Sequence, residues 1–421
     1  MQLRFLLFLG FFTAFNVLSA QADADSSKIH LEDVTIDFLF NYYEQDGNHS
    51  PVTGGQGTES LTNTAPSLLV NIPIDTNRYI NYNGGVDYYT TASSDNINNP
   101  YLQVDHVSSA SAADFRMYSN VGYKQTNGVK NTSYAANLGV SFEFDVSSVS
   151  VGAAYAKSSK DKNKEFSIKG SYFFDSWKLI YPIEHRNGTT SILDNDQRHS
   201  LSLSLVESWV MNKRMNASVN VDLVMQQGLL STPFHRVYFN DYNQDEFGNI
   251  LGDTASLINS QVEQLPNTRF KIPIGVRWNY YLADFMRVNL YYRFYYDTWN
   301  VLGNTAQIEL PLVLAKYLRV YPFYRFHHQT AADYFAPFAV HDGSVPPSFF
   351  TSDFDLSGFT SHRMGLGLSI APLFGIFNFT TQKKGNKNML KSIDLRYSHY
   401  RRSDGLVANL YSLGLSYAIK R

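Results

Sequence analysis

Residues 286–297, "MRVNLYYRFYYD", alternate without a break. Met286, Val288, Leu290, Tyr292, Phe294 and Tyr296 fall on one face, and Arg287, Asn289, Tyr291, Arg293, Tyr295 and Asp297 on the other. Period two over such a length is a strand. It is about twice as long as the five or six residues usual in a soluble sheet, whereas a tilted strand crossing a bilayer needs about 9–11. One face is wholly apolar. The other carries two arginines that a dry core would not accept unpaired. Such a strand belongs between hydrocarbon and a wet or protein-filled interior.

The neighbouring segments repeat the pattern. In "TRFKIPIGVRWNYYL" (268–282), Phe270, Ile272, Ile274, Val276, Trp278 and Tyr280 oppose Arg269, Lys271, Gly275, Arg277 and Asn279. In "AQIELPLVLA" (306–315), Ile308, Leu310, Leu312 and Leu314 oppose Gln307 and Glu309. In "YLRVYPFYRFHHQ" (317–329), Leu318, Val320, Tyr324 and Phe326 oppose Arg319, Tyr321, Arg325 and His327. Long strands joined by tight turns make an antiparallel meander. The fold expected is all-β, a transmembrane antiparallel up-and-down barrel of about sixteen strands, with 14–18 as the range. Closing the sheet leaves no unpaired edge in lipid. Pro273, Pro311 and Pro322 each remove a ladder donor, so irregularities are expected there. Long connections at 45–65, 93–112, 176–196, 228–267 and 331–358 all fall on one side. The connection 372–389 breaks that asymmetry, and "FGIFNFTT" within it is a candidate missed strand.

The ends agree with this class. "MQLRFLLFLGFFTAFNVLSAQA" has a positive start, a short apolar core and small residues for cleavage, which reads as a signal peptide over 1–22. A retained anchor is the alternative. Residues 23–32 are then a short periplasmic segment and 33–421 a single outer-membrane barrel, with no room for a large plug domain ahead of it. The chain has no cysteine, which excludes a lipid-anchored lipoprotein and any disulfide. A formal charge of −2 gives no nucleic-acid signature. Tyrosine (29) and phenylalanine (30) are abundant, as strands and membrane interfaces favour. Membrane lipid is therefore the expected partner.

Six further stretches carry a resemblance. "VDHVSSAS" (104–111), "SKDKNKEFS" (159–167), "PFHRVYF" (233–239), "LPNTRF" (265–270), "YYRFYYDTW" (291–299) and "YRFHHQTAADYF" (324–335) resemble an uncharacterised bacterial family of barrel-like envelope proteins known only by a domain-of-unknown-function label. The resemblance implies no activity. It does imply an association with a flavin-attaching transferase, a thioredoxin-like protein and a small lipoprotein, hence with an envelope redox or maturation system.

Lys271, Arg277, Arg287, Arg293, Arg319, Arg325, Arg363 and Arg396 all fall on expected inward faces, against Asp297, Glu309 and Asp394. Ringed charge of one sign selects ions in a pore. The competing reading is a structural network in which these carboxylates and inward tyrosines hold the arginines. In "VDHVSSAS", Asp105 and His106 with Ser108 and Ser109 hint at acid–base chemistry, but neighbours on an extended segment point apart and no catalytic constellation results. His327 and His328 face opposite sides of a strand and have no third metal ligand. "DYNQDEFGN" (241–249) echoes a calcium loop, but its glycine is displaced and the closing glutamate is missing. No cofactor site is expected. Two classes remain: a passive channel for a small anionic solute, and a non-enzymatic scaffold or export component that binds envelope partners. Fold does not choose between them.

Overall fold

The computed structural model describes residues 32–91, 113–182, 185, 195–240, 260–343, 346–380 and 387–420. They form an all-β, sixteen-stranded, closed antiparallel barrel. The wall begins with β1 (Val34–Asp46), β2 (Leu61–Pro73), β3 (Arg78–Thr91), β4 (Ala113–Asn127), β5 (Thr132–Phe142), β6 (Val146–Ser158), β7 (Lys164–Lys178), β8 (Asn195–Asn212) and β9 (Met215–Gly228). The connection after β9 contains its own two-stranded hairpin, β10 (Arg236–Tyr238) with β11 (Ser260–Val262). The wall resumes with β12 (Thr268–Ala283), β13 (Met286–Asp297), β14 (Leu302–Glu309), β15 (Leu312–Ala315) and β16 (Leu318–Gln329). It ends with β17 (Phe359–Ile370), β18 (Phe377–Thr380), β19 (Lys387–Arg402) and β20 (Val407–Ile419). β14 and β15 share one edge of β16, and β17 and β18 share one edge of β19. The eighteen wall segments therefore make sixteen staves. β1 pairs with β20 from Val34↔Ile419 to Asp46↔Val407 and closes the cylinder.

The prolines act unequally. Pro311 stands in the break between β14 and β15. Pro273 leaves a gap in the ladder to β9, which is laced at Lys271 and again at Ile274. Pro322 shifts no register against β17. The Leu310 amide donates to its carbonyl at 3.0 Å, and the donor that Pro322 lacks falls at the β14–β15 break. The irregularity expected there is thus shared with Pro311. "FGIFNFTT" does hold a strand, β18, but it extends the line of β17 and leaves the stave count at sixteen.

Alternation sets the outer surface. Leu138, Val149, Val151, Leu201, Leu290, Tyr292, Met364, Leu366 and Leu395 are all exposed. Cross-strand register groups them on one face, as in Val276↔Tyr292 and Leu290↔Ile308. So broad an apolar surface suits contact with lipid. Aromatic rings stand toward both ends of it, as the interfacial belts of membrane barrels do. Trp278 stacks on Tyr280 near the turn at 284–285. Toward the opposite rim, the phenol of Tyr324 pairs with His362 Nδ1 at 2.7 Å, that of Tyr172 with His199 Nδ1 at 2.7 Å, and that of Tyr397 donates to Asn409 Oδ1 at 3.0 Å. The connections after β1, β3, β7, β9 and β16, the long ones, all leave from that rim. The turns at 74–77, 128–131, 159–163, 213–214, 284–285 and 316–317 lie at the other. The leader, the segment around Asp105, His106, Ser108 and Ser109, and the stretch 241–249 lie outside the described residues.

Candidate functional site

Residues paired across neighbouring strands share a face, so the register assigns the lumen. Lys271 faces Asp297, Arg277 faces Tyr291, and Arg293 faces Gly275 and Thr305. Arg287 faces Tyr281, Asn289 faces Glu309, and Gln307 faces Arg325. Arg325 in turn faces Arg363, Arg319 faces Ser369, Arg396 faces Gly367, and Asp394 faces Ser369. All eleven residues singled out in the sequence thus lie on one continuous inner face.

Their pairing is uneven. Arg396 makes an ion pair with Glu309, which also accepts from Asn289 Nδ2 at 3.2 Å. Asp297 is taken by Arg269, on the same face but outside the expected set. That corner is dense. Asp297 is fully buried and accepts from Tyr295 Oη at 2.6 Å and the Trp299 amide at 2.9 Å. The Arg269 guanidinium lies 4.0 Å over the Trp299 ring. Asp394 accepts from Ser392 Oγ at 3.0 Å. Among the described residues, Lys271, Arg277, Arg287, Arg293, Arg319, Arg325 and Arg363 have no carboxylate at ion-pair distance. A carboxylate network accounts for Arg396 alone of the eight bases.

For Arg277, Arg287 and Arg363, aromatic rings take the place of counter-ions. Arg277 sits 5.1 Å over Tyr291 and Arg287 5.6 Å over Tyr281. Arg287 Nη1 also donates to Tyr281 Oη at 3.4 Å. Arg396 and Arg363 flank Phe323 at 4.6 and 5.8 Å. Such contacts contribute roughly 0.5–2 kcal/mol and hold a guanidinium in place without neutralising it. Gly365, opposite Phe323, makes room for that platform: a Cβ there would lie 2.6 Å from the ring and 2.3 Å from the Tyr397 carbonyl. Gly365→Ala is expected to displace Phe323 and destabilise the barrel by about 1–3 kcal/mol through overpacking. The temperature at which the heat-resistant gel band is lost measures it.

The opposite wall differs. Across β5–β8 the inner face carries Ser133, Ala135, Asn137, Gly139, Ser148, Ser150, Gly152, Ala154, Ser167, Ser171, Ser200, Ser202 and Ser204. Its neighbouring inner carboxylates include Asp87, Asp114, Asp175 and Asp222, of which Asp87 and Asp175 pair with Arg116 and Arg198. The same face also carries Lys169, Phe173 and Arg198, so the lumen has a basic wall of closely spaced long side chains facing one of mixed charge that is rich in small residues.

The long connections fold over the mouth above the basic wall. Segments 47–60, 229–240, 260–267, 330–343 and 346–358 hold many of the most buried side chains described, including Arg236, Val237, Phe239 and Thr351. Arg236 Nη1 donates to Val52 O at 2.8 Å, and His49 stacks on Phe354 at 3.8 Å. The cap is tied to the wall where Arg402 Nη1 donates to Asp355 Oδ1 at 2.6 Å and Gln329 Nε2 to Ser357 O at 2.8 Å. Within the cap, burial pushes the Asp353 carboxyl up to about 6; His235 works against this, and Asp355 and Glu263 add to it. Burial also holds Glu59 above the usual carboxylate range.

A family model described as "Protein of unknown function (DUF3570)" matches residues 11–375. No curated protein matches the chain. Among solved structures the chain is similar to a bacterial polysaccharide outer membrane secretin at 9% identity and TM-score 0.44, covering 94% of this chain and 100% of that one. It is also similar to a BenF-like porin from Pseudomonas fluorescens Pf-5 (8%, TM-score 0.40, 93% and 100% covered). A third likeness is to the outer membrane protein opdK from Pseudomonas aeruginosa (8%, TM-score 0.38, 92% and 99% covered).

Proposed function

The chain belongs to the DUF3570 family, and from the charge on its lumen wall we propose that the barrel is an outer-membrane channel for small anionic solutes. A closed barrel with an apolar belt between two aromatic borders suits that membrane. The observation that carries the reading is the set of seven inward bases without a carboxylate partner among the described residues. A wall of uncompensated guanidinium groups raises the local concentration of anions. The many small side chains of β5–β8 on the wall opposite favour a lumen that a solute could pass. A solute's apolar part can lie on the same rings that support the arginines.

Planar-bilayer recording of the purified protein under a salt gradient tests this. Stable steps with anion preference are expected, weakening as salt rises because the Debye length falls from about 10 Å at 0.1 M to about 3 Å at 1 M. Arg287→Gln with Arg293→Gln should reduce the preference while the barrel still assembles. Cation preference, or anion preference unchanged in the double variant, sinks the proposal.

The cap over the mouth favours a second reading, a scaffold or export component whose folded connections hold an envelope partner such as a small lipoprotein. Absence of conductance from an assembled barrel, together with co-purification of a lipoprotein that is lost on deleting 346–358, would select it.

A further inference from the structure

His235 and Glu263 stand opposite each other at the base of the β10–β11 hairpin, where the Glu263 amide donates to His235 O at 2.9 Å. Asp353 arrives from the connection after β16. That connection is laid against the hairpin by the Gln264–Phe350 backbone pair, at 3.1 and 2.7 Å. The three side chains bring one ligand atom each to within 4.8 Å of one another. His235 Nδ1 lies 3.7 Å from Glu263 Oε1. The His235 side chain is 13% exposed, and Nδ1 itself is sealed from solvent without a hydrogen-bond partner.

The carboxylates are held as metal ligands are held, by donors behind them. Glu263 accepts from the Thr232 amide at 2.7 Å and from the Thr351 hydroxyl. Asp353 accepts from the Asp355 amide at 2.9 Å. Among the described residues no lysine or arginine makes an ion pair with either acid. The Arg402 guanidinium goes instead to Asp355 and Asp404. Two oriented carboxylates and an imidazole nitrogen without a hydrogen-bond partner therefore converge on one point, where among the described residues the positive charge on offer is that of His235 itself.

We propose that His235, Glu263 and Asp353 bind a divalent first-row transition ion that staples the connection after β9 to the connection after β16. One imidazole and two carboxylates suit an ion of the zinc class, with water completing the tetrahedron. At bond lengths of about 2.0–2.2 Å, ligand atoms in a tetrahedron lie roughly 3.3 Å apart, near the 3.7 Å separation seen. The staple has a structural task. Among the described residues the buried apolar cluster beside the three ligands is Val237, Phe239 and Phe350, and a metal crosslink there adds folding free energy to those contacts.

The test uses the full-length barrel in detergent, stripped with EDTA and titrated with Zn²⁺ against a chromophoric chelator. One saturable equivalent per chain is expected. Zinc should also slow protease cleavage of the two connections. His235→Gln and Asp353→Asn should each weaken uptake by about tenfold or more and remove the protection. A heat-resistant gel band in each variant certifies an assembled barrel, so that lost binding is not lost folding. No saturable uptake by the wild type, or equal uptake by an assembled Glu263→Gln, Asp353→Asn double variant, overturns the proposal and leaves His235 in a plain ion pair with Glu263. Neither result depends on conductance.

Discussion

Asp297→Ala is expected to destabilise the barrel by about 3–5 kcal/mol, the loss typical of removing one partner from a buried ion pair. Asp297 is fully buried, and the Arg269 side chain it holds is 13% exposed. Removing the carboxylate strands the Arg269 guanidinium and also deprives the Tyr295 hydroxyl and the Trp299 and Val301 amides of their acceptor. The cost is concentrated where β12 and β13 meet the mouth, because Trp299 and Val301 pack with Leu265 and Ala332 from two long connections. Asp297→Asn should recover part of the loss, since an amide oxygen still accepts while the charge stays unpaired. Urea midpoints of refolded protein in lipid vesicles measure both. An alanine variant as stable as wild type would mean that this corner is solvated.

Leu290→Arg should cost up to about 2–4 kcal/mol, the value for arginine on the lipid face at the midplane, and less toward an interface. Leu290 is 38% exposed on the outer surface, between Trp278 and Ile308. Its chain neighbour gives the control. Asn289 points inward beside Glu309, so Asn289→Arg meets a carboxylate and water and should fold with less than half that loss. Equal losses, or the reverse order, would place β13 one residue out of register.

Much of this was legible because alternation is a one-dimensional signal. A period of two names the face of every residue in β12, β13 and β16 before any partner is known, and the outward Leu290 follows from it. What alternation does not encode is which inward residues touch. Lys271 is the direct cross-strand neighbour of Asp297, yet Arg269, two residues along, takes the carboxylate. Its planar fork can bond and stack on Trp299 at once. β18 showed only as the candidate strand "FGIFNFTT", outside the main count, for a different reason. Its four residues follow Pro372 and Gly375, too few for a period to stand out. The His235, Glu263 and Asp353 group carried no signal of its own, since its members come from two connections and share no spacing. "PFHRVYF" held His235 in view only as part of a resemblance.

The seam between β1 and β20 has a consequence for how the molecule comes into being. Val34 is bonded to Ile419 and Asp46 to Val407, so nearly the whole chain separates the partners. Pairings this remote in sequence form slowly, because the entropy of closing the loop is spent before any contact rewards it. Until β20 arrives, β1 offers a long unpaired edge to any passing strand. The cylinder cannot be assembled stave by stave as translation proceeds. Closure waits for the last strand, and until then the outer edges of β1 and β20 both stay unpaired.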